Sequence, residues 1–226
     1  MTAHPPTPAG VPIMDKVTKD RLLSLQADND THSAFMAMHS ERFDKLRTRH
    51  EDGTAPRAVA SFNLFQTPAP LARRMVALAD IAPGDSVLEP SAGLGRILAP
   101  VMECSPARVV AGDISPDCCR EIMEQFPGVR LIQGDFLDAA TRERMGPPFD
   151  KIVMNPPFKM RADIKHIEAA LTMLAPGGSL VGLCLSGFKR ADFLATHGAH
   201  IETVPAGTFP DTKVETLLFK ICSNSR

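Results

Sequence analysis

Several things are missing from this sequence, and each absence removes a class of protein. No apolar run approaches the roughly 20 residues needed to cross a bilayer, so a membrane-spanning chain is not expected. The opening residues, Met1-Thr-Ala-His-Pro-Pro-Thr-Pro8, have neither the charged start nor the apolar core of a secretory signal, which makes the expected location cytoplasmic. Five cysteines (Cys104, Cys118, Cys119, Cys184, Cys222) form no C-x-x-C pair and show no ligand spacing with the histidines; reduced thiols are expected, not disulfides or a metal. The formal net charge is −1, so the chain lacks the basic excess of a general polyanion binder, and any such contact must come from local patches. At 226 residues it is long enough for one sizeable domain with an appendage, and short for two full domains.

Three regions follow from the patterning. Residues 1–13 are proline-rich without a packing pattern and read as a disordered tail. Residues 14–57 read as a helical appendage: Met14 to about Arg49 lacks proline and glycine, and eight basic residues balance eight acidic ones through Arg57. Glu51-Asp-Gly-Thr-Ala-Pro56 is a loop at its boundary, and residues 58–226 form the main domain. There Thr67 before Pro68 reads as a helix N-cap, with Leu71, Met75, Val76 and Leu78 at helical spacing and Ala82-Pro83-Gly84 as the stop.

A β-then-α rhythm begins at Asp85. Asp85-Ser-Val-Leu-Glu-Pro-Ser-Ala-Gly-Leu-Gly95 reads as strand then tight turn, with Gly93 and Gly95 allowing positive φ and close ligand approach ahead of a helix N-terminus. A dinucleotide loop would want a third glycine where Leu98 stands, which disfavours that ligand. Glu89 at the strand's end suits a cation instead. Arg108–Asp113 and Val129–Asp135 are further strands ending in carboxylates, with a helix from Ser115-Pro116 to about Phe126 between them. In an open parallel sheet these tips share the ligand-binding edge, where Asp113 can accept ribose hydroxyls and Asp135 an adenine amino group.

The fourth tip carries the most specific chemistry. Ile152-Val153-Met154 is a short, β-prone apolar run cut off at Asn155-Pro156-Pro157-Phe158. The prolines fix their own φ and restrict the residues before them, so the Asn155 carboxamide and the Pro156 carbonyl are held as two acceptors beside an aromatic ring. That is a site for a planar, amino-bearing ring. Beyond it, Ala162 to Leu174 and Phe188 to His197 read as helices; Ser179–Leu185, Ala199–Val204 and Lys213–Ile221 read as strands.

These stretches resemble the class I S-adenosylmethionine-dependent methyltransferases, and among them the DNA amino-methyltransferases, N6-adenine enzymes above all. Phe65-Gln-Thr-Pro68 is similar to the family's leading motif, Leu88-Glu-Pro-Ser-Ala-Gly-Leu-Gly95 to motif I, Asp113 to motif II, Gly134-Asp135-Phe136 to motif III and Asn155-Pro-Pro-Phe158 to catalytic motif IV. The resemblance implies an α/β, Rossmann-like fold: a seven-stranded, mostly parallel sheet with the last strand antiparallel. It implies S-adenosyl-L-methionine held by Phe65, Thr67, Glu89, Pro90, Ala92, Gly93, Gly95, Asp113, Ile114, Asp135, Phe136 and Asn155, with no metal. Asn155, Pro156, Pro157 and Phe158 would be catalytic. The extruded base would stack on Phe158, and Lys159, Arg161, Lys165, Lys189 and Arg190 would meet phosphates.

The implied reaction is N6-methylation of adenine in DNA. RNA adenine, a protein glutamine amide, or a noncatalytic cofactor-binding subunit of a modification complex are the alternatives. Adenine enzymes with this motif order carry a target-recognition domain after the catalytic one. None is expected here, so recognition would fall to the N-terminal helices, a partner or homo-oligomer, or the enzyme would be promiscuous.

Overall fold

The computed structural model describes residues 65–209 and 214–223; the tail and helical appendage expected over residues 1–57 lie outside these. Short apolar strands alternating with amphipathic helices build one sheet with helices on both faces. The elements in order are α1 (Ala69–Ala79), β1 (Ser86–Glu89), α2 (Leu98–Glu103), β2 (Arg108–Asp113), α3 (Pro116–Gln125), β3 (Arg130–Gln133), α4 (Ala139–Met145), β4 (Phe149–Met154), α5 (Ala162–Leu171), β5 (Leu174–Leu185), α6 (Phe188–Thr196), β6 (His200–Val204) and β7 (Thr216–Cys222).

The seven strands lie in the order β3-β2-β1-β4-β5-β7-β6. β1 pairs in parallel with β2 and β4, β2 with β3, and β4 with β5, while β7 runs antiparallel to both β5 and β6. The order reverses between β1 and β4. In a doubly wound sheet that reversal leaves a crevice at the strands' carboxyl ends.

Period-two side-chain alternation sorts the core. Val87, Val109, Ala111, Val153, Val181 and Leu218 pack on one face with α1, while their neighbours Leu88, Val110, Ile152, Met154, Leu180 and Leu217 pack on the other with α5. Each buried valine, leucine, isoleucine or methionine contributes about 1.5–3 kcal/mol, which is why a four-residue strand such as β1 is held firmly. At the opposite edge from the crevice, the Asp150 carboxylate accepts from the Ser86 backbone N–H at 2.8 Å and from its hydroxyl at 2.7 Å, stitching β4 to β1. Those bonds hold the Asp150 carboxyl below the usual carboxylate range.

Two sequence expectations are corrected here. Thr67 does not cap α1: the N-cap residue is Pro68, without a side-chain cap, because the Thr67 hydroxyl is turned to Asn155. Strand β5 starts at Leu174, earlier than the Pro176-Gly-Gly segment suggests, because the Phe149 N–H bonds the Met173 carbonyl at 2.8 Å and a bulge between Phe149 and Lys151 absorbs the extra residues. No helix among the described residues is long and apolar enough to cross a membrane.

Candidate active site

A cavity of about 300 Å³ opens at the carboxyl ends of β1 to β4. It is lined by Glu89 from β1's tip, Asp113 from β2's, Asp135 just beyond β3 and Asn155 just beyond β4, together with Phe65 and Thr67 ahead of α1. The glycine turn and the proline-locked asparagine therefore open into one space.

The turn after β1 is built to present backbone. Gly93 has φ 54° and Gly95 φ 73°, a left-handed path. The Gly93 N–H donates to Asp113 Oδ2 at 2.8 Å and the Ala92 N–H to the Gly112 carbonyl at 2.9 Å, tying the turn to β2's tip. Asp113 Oδ1 takes the Ser115 N–H at 2.8 Å. A carboxylate offers about four lone-pair sites, so Asp113 keeps capacity toward a ligand's hydroxyls. Gly95 does not line the cavity; a Cβ there would lie 2.5 Å from the Phe126 ring, so its bareness serves packing.

Glu89 is the electrostatic centre. It is 1% exposed, and Oε2 has no partner. Burial pushes its carboxyl well above the usual range, with the nearby Asp113 charge adding to the rise and the Leu98 N–H opposing it. A buried carboxylate with a free oxygen facing a cavity fits a ligand that brings positive charge.

Asn155 is fixed by two contacts. Its Nδ2 lies 2.9 Å from the Phe65 carbonyl oxygen and 3.0 Å from Thr67 Oγ1. A carbonyl can only accept, so that end of the amide is the NH₂ group. Oδ1 is thereby left buried and without a partner. The segment Phe65–Thr67 thus sets which end of the amide faces the cavity.

The aromatic arrangement differs from the sequence expectation for the base-stacking ring. Phe158 is 6% exposed, lies outside the cavity lining, and stacks against Phe65 with centroids 5.7 Å apart at 30°. Phe65, 36% exposed, lines the cavity, as does Phe136. Pro90, Ala92, Ile114, Pro156 and Pro157 also line the cavity.

After Phe158 the chain turns sharply through Met160 (φ 53°) and Arg161 (φ 59°), two consecutive left-handed residues, before α5 begins. Lys159, Arg161, Lys165 and Lys189 are exposed and outside the cavity. Arg190 is committed elsewhere: its Nε is 2.5 Å and its Nη2 3.2 Å from the carboxylate of Asp163, which is fully buried and also accepts the Leu185 N–H. Residues that the sequence did not single out also line the cavity, including Gln66, Ser91, Arg96, Leu137 and His166. Gln66, Ser91 and Arg96 were within reach of the motif reading, since they sit inside or beside motif-like stretches; His166, on a helix, carries no such signal.

No family model matches the chain. Ribosomal RNA small subunit methyltransferase A of Thermosynechococcus vestitus is 36% identical over 171 residues, 64% of this chain and 62% of that protein. Modification methylase CviBIII of Paramecium bursaria Chlorella virus NC1A is 28% identical over 132 residues, 55% of the chain and 33% of the relative. Release factor glutamine methyltransferase of Chlorobaculum tepidum is 27% identical over 113 residues, 44% of the chain and 38% of the relative. Each match spans less than two thirds of the relative's own length.

Among solved structures, a type I restriction-modification methyltransferase subunit from Streptococcus thermophilus superposes with a TM-score of 0.61 at 18% identity, over 74% of this chain and 46% of that one. TrmN from Thermus thermophilus gives 0.55 at 25%, over 69% and 48%. The chain has the class I methyltransferase fold, and these relatives support its place in that S-adenosylmethionine-dependent superfamily. These three relatives divide among ribosomal RNA, release-factor glutamine and modification methylases.

Proposed function

We propose that the chain transfers a methyl group from S-adenosyl-L-methionine to the exocyclic N6 of adenine in DNA. The observation that carries this reading is the Asn155 amide, whose Nδ2 is spent on Phe65 and Thr67 and whose Oδ1 is a buried, partnerless acceptor in the same cavity as Glu89 and the glycine turn.

The cavity's donor set suits the cofactor along its length. Glu89 complements its positive charge, Asp113 its ribose hydroxyls, and Asp135 with Ile114 and Phe136 its adenine. When bound, the cofactor supplies an electrophilic methyl on sulfur. An adenine amino group is a poor nucleophile because its lone pair is delocalised into the ring. Oδ1 of Asn155 and the Pro156 carbonyl, accepting its two N–H bonds, favour the pyramidal form and stabilise the charge that develops on nitrogen, so no strong base is needed.

Phe65 covers the face of Phe158, so admitting a base there requires the Phe65 ring to swing aside. The same residue's backbone carbonyl orients Asn155 and stays in place when the ring rotates.

Support for DNA comes from the order of the Phe65-Gln-Thr-Pro and Asn-Pro-Pro-Phe motifs and from the similarity to a modification methylase. RNA is the second reading, favoured by the 36% identity to a ribosomal RNA methyltransferase over 64% of the chain.

The test is to incubate the full chain with methyl-labelled cofactor and separate pools of duplex DNA, single-stranded DNA, RNA and protein extract, then identify the modified product by mass. N6-methyladenine in DNA is the expected product, and Asn155→Ala should abolish it while leaving cofactor affinity within a few-fold. Label confined to RNA or to glutamine would overturn the DNA assignment; equal loss of cofactor binding would overturn the role given to Asn155.

A further inference from the structure

His166 lines the cavity from α5 and has no part in the chemistry described so far. It is 5% exposed, and its Nδ1 lies 2.8 Å from the Ala162 carbonyl oxygen. Since that oxygen can only accept, Nδ1 carries the proton and the neutral ring keeps its lone pair on Nε2. No described protein group bonds Nε2. The ring tilts against Phe136 with centroids 5.7 Å apart, beside Asp135 at the end of the cavity formed by the β3 tip. Burial holds the imidazole below its ordinary pKa, against the opposing effects of the Ala162 carbonyl, Asp135 and Asp163, so the neutral form prevails at neutral pH. A largely buried ring at the cavity wall with an acceptor that no described protein group meets is placed to take a ligand's donor.

We infer that His166 Nε2 and the Asp135 carboxylate are paired acceptors for the two N–H bonds of the cofactor's 6-amino group, making the site selective for an adenosyl over an inosyl nucleoside. The inference rests on the cofactor reading above. A 6-amino group presents two donors to two acceptors; the 6-oxo group of hypoxanthine presents an oxygen to both. Such a mismatch sets the ligand's oxygen against an exposed carboxylate and a buried ring nitrogen, neither of which finds a donor, and that is how a site of this kind rejects a near-isostere. Asp135 and Asp163 are the charged groups that act on the ring, and Asp163 is itself paired with Arg190.

The experiment measures calorimetric binding of S-adenosylhomocysteine and S-inosylhomocysteine to the full chain across the acidic pH range, without turnover. His166→Phe keeps a ring against Phe136 and removes both nitrogens. The wild type should prefer the adenosyl compound at neutral pH. His166→Phe should bind it about three- to tenfold more weakly, the worth of one hydrogen bond, and bind the inosyl compound no worse. Acidification should shrink the wild-type preference, because a protonated Nε2 becomes a donor suited to the 6-oxo group, while the ratio in the variant lacks that component.

A variant with the wild-type ratio and pH profile would overturn the role of His166 and leave the cofactor reading intact. If the variant does not fold, a wild-type ratio that stays flat through the imidazole's titration overturns it just as well. A wild type that binds neither compound would sink the cofactor reading together with this inference.

Discussion

Glu89 is held where ionisation is least favourable, and that has consequences for stability as well as for binding. Its raised native pKa means the folded chain keeps a proton that the unfolded chain releases near the ordinary carboxylate value. Stability therefore falls as pH rises above that value and stops falling only once the native pKa is passed. Glu89→Gln keeps the shape and removes the titration. The variant should melt higher than the wild type at neutral pH, by calorimetry without ligand, and should bind the cofactor at least about tenfold more weakly, since a charge-assisted bond is removed. The wild type should release up to about one proton on binding a cationic cofactor, as linkage requires of a carboxyl that ionises to meet it. Heats measured in buffers of different ionisation enthalpy read that release directly, and Glu89→Gln should abolish it.

Elements, unlike single groups, are stabilised by what crosses between them, and the Asp150–Ser86 pair is the clearest such stitch. Asp150 has its native pKa depressed by the Ser86 hydroxyl first and the Ser86 N–H second. Its contribution is present above the ordinary carboxylate pKa and disappears as pH falls through the lower native value. Asp150→Ala should cost about 2 kcal/mol at neutral pH, read from urea denaturation, and the gap between variant and wild type should close in strong acid. The two strands this pair joins, like β2, were legible from the sequence because they are buried on both faces and so appear as short apolar runs bounded by polar tips. Helix α4 was not: Thr141 and Met145 are its only buried residues, too few to show a helical period, and its clearest signal is Asp138, whose side chain accepts the Thr141 N–H. Thr67 was misread for a different reason, since a Thr-Pro step suits a cap locally and only the tertiary approach of Asn155 claims the hydroxyl. The four polar tips were legible because strand ends fix their edge; His166 was not, because a helix's rotation about its axis is set by packing alone.

Across the whole molecule, a near-neutral chain must concentrate charge to hold a polyanion, as the proposed function requires. Met160, 94% exposed, and Phe188, 85% exposed, are the two most exposed large apolar side chains among the described residues. They follow the tips of β4 and β5; Met160 lies between Lys159 and Arg161, and Phe188 is followed by Lys189 and Arg190. Lys159, Arg161 and Lys189 are exposed cations on the cavity's side of the sheet, whereas Arg190 is the partner of a fully buried carboxylate. The two sets should separate cleanly. Replacing Lys159, Arg161 and Lys189 together by alanine should leave the melting temperature close to wild type and reduce the slope of log affinity against log salt by about 0.7–0.9 for each phosphate no longer neutralised, measured by anisotropy on a labelled DNA pool. Arg190→Ala should instead cost about 3 kcal/mol of stability, because it strands Asp163 without its counter-charge, and should leave the salt slope unchanged. A triple variant with the wild-type salt slope would mean that the basic rim meets water rather than phosphate, and the nucleic acid would then have to be held by some other surface of the chain.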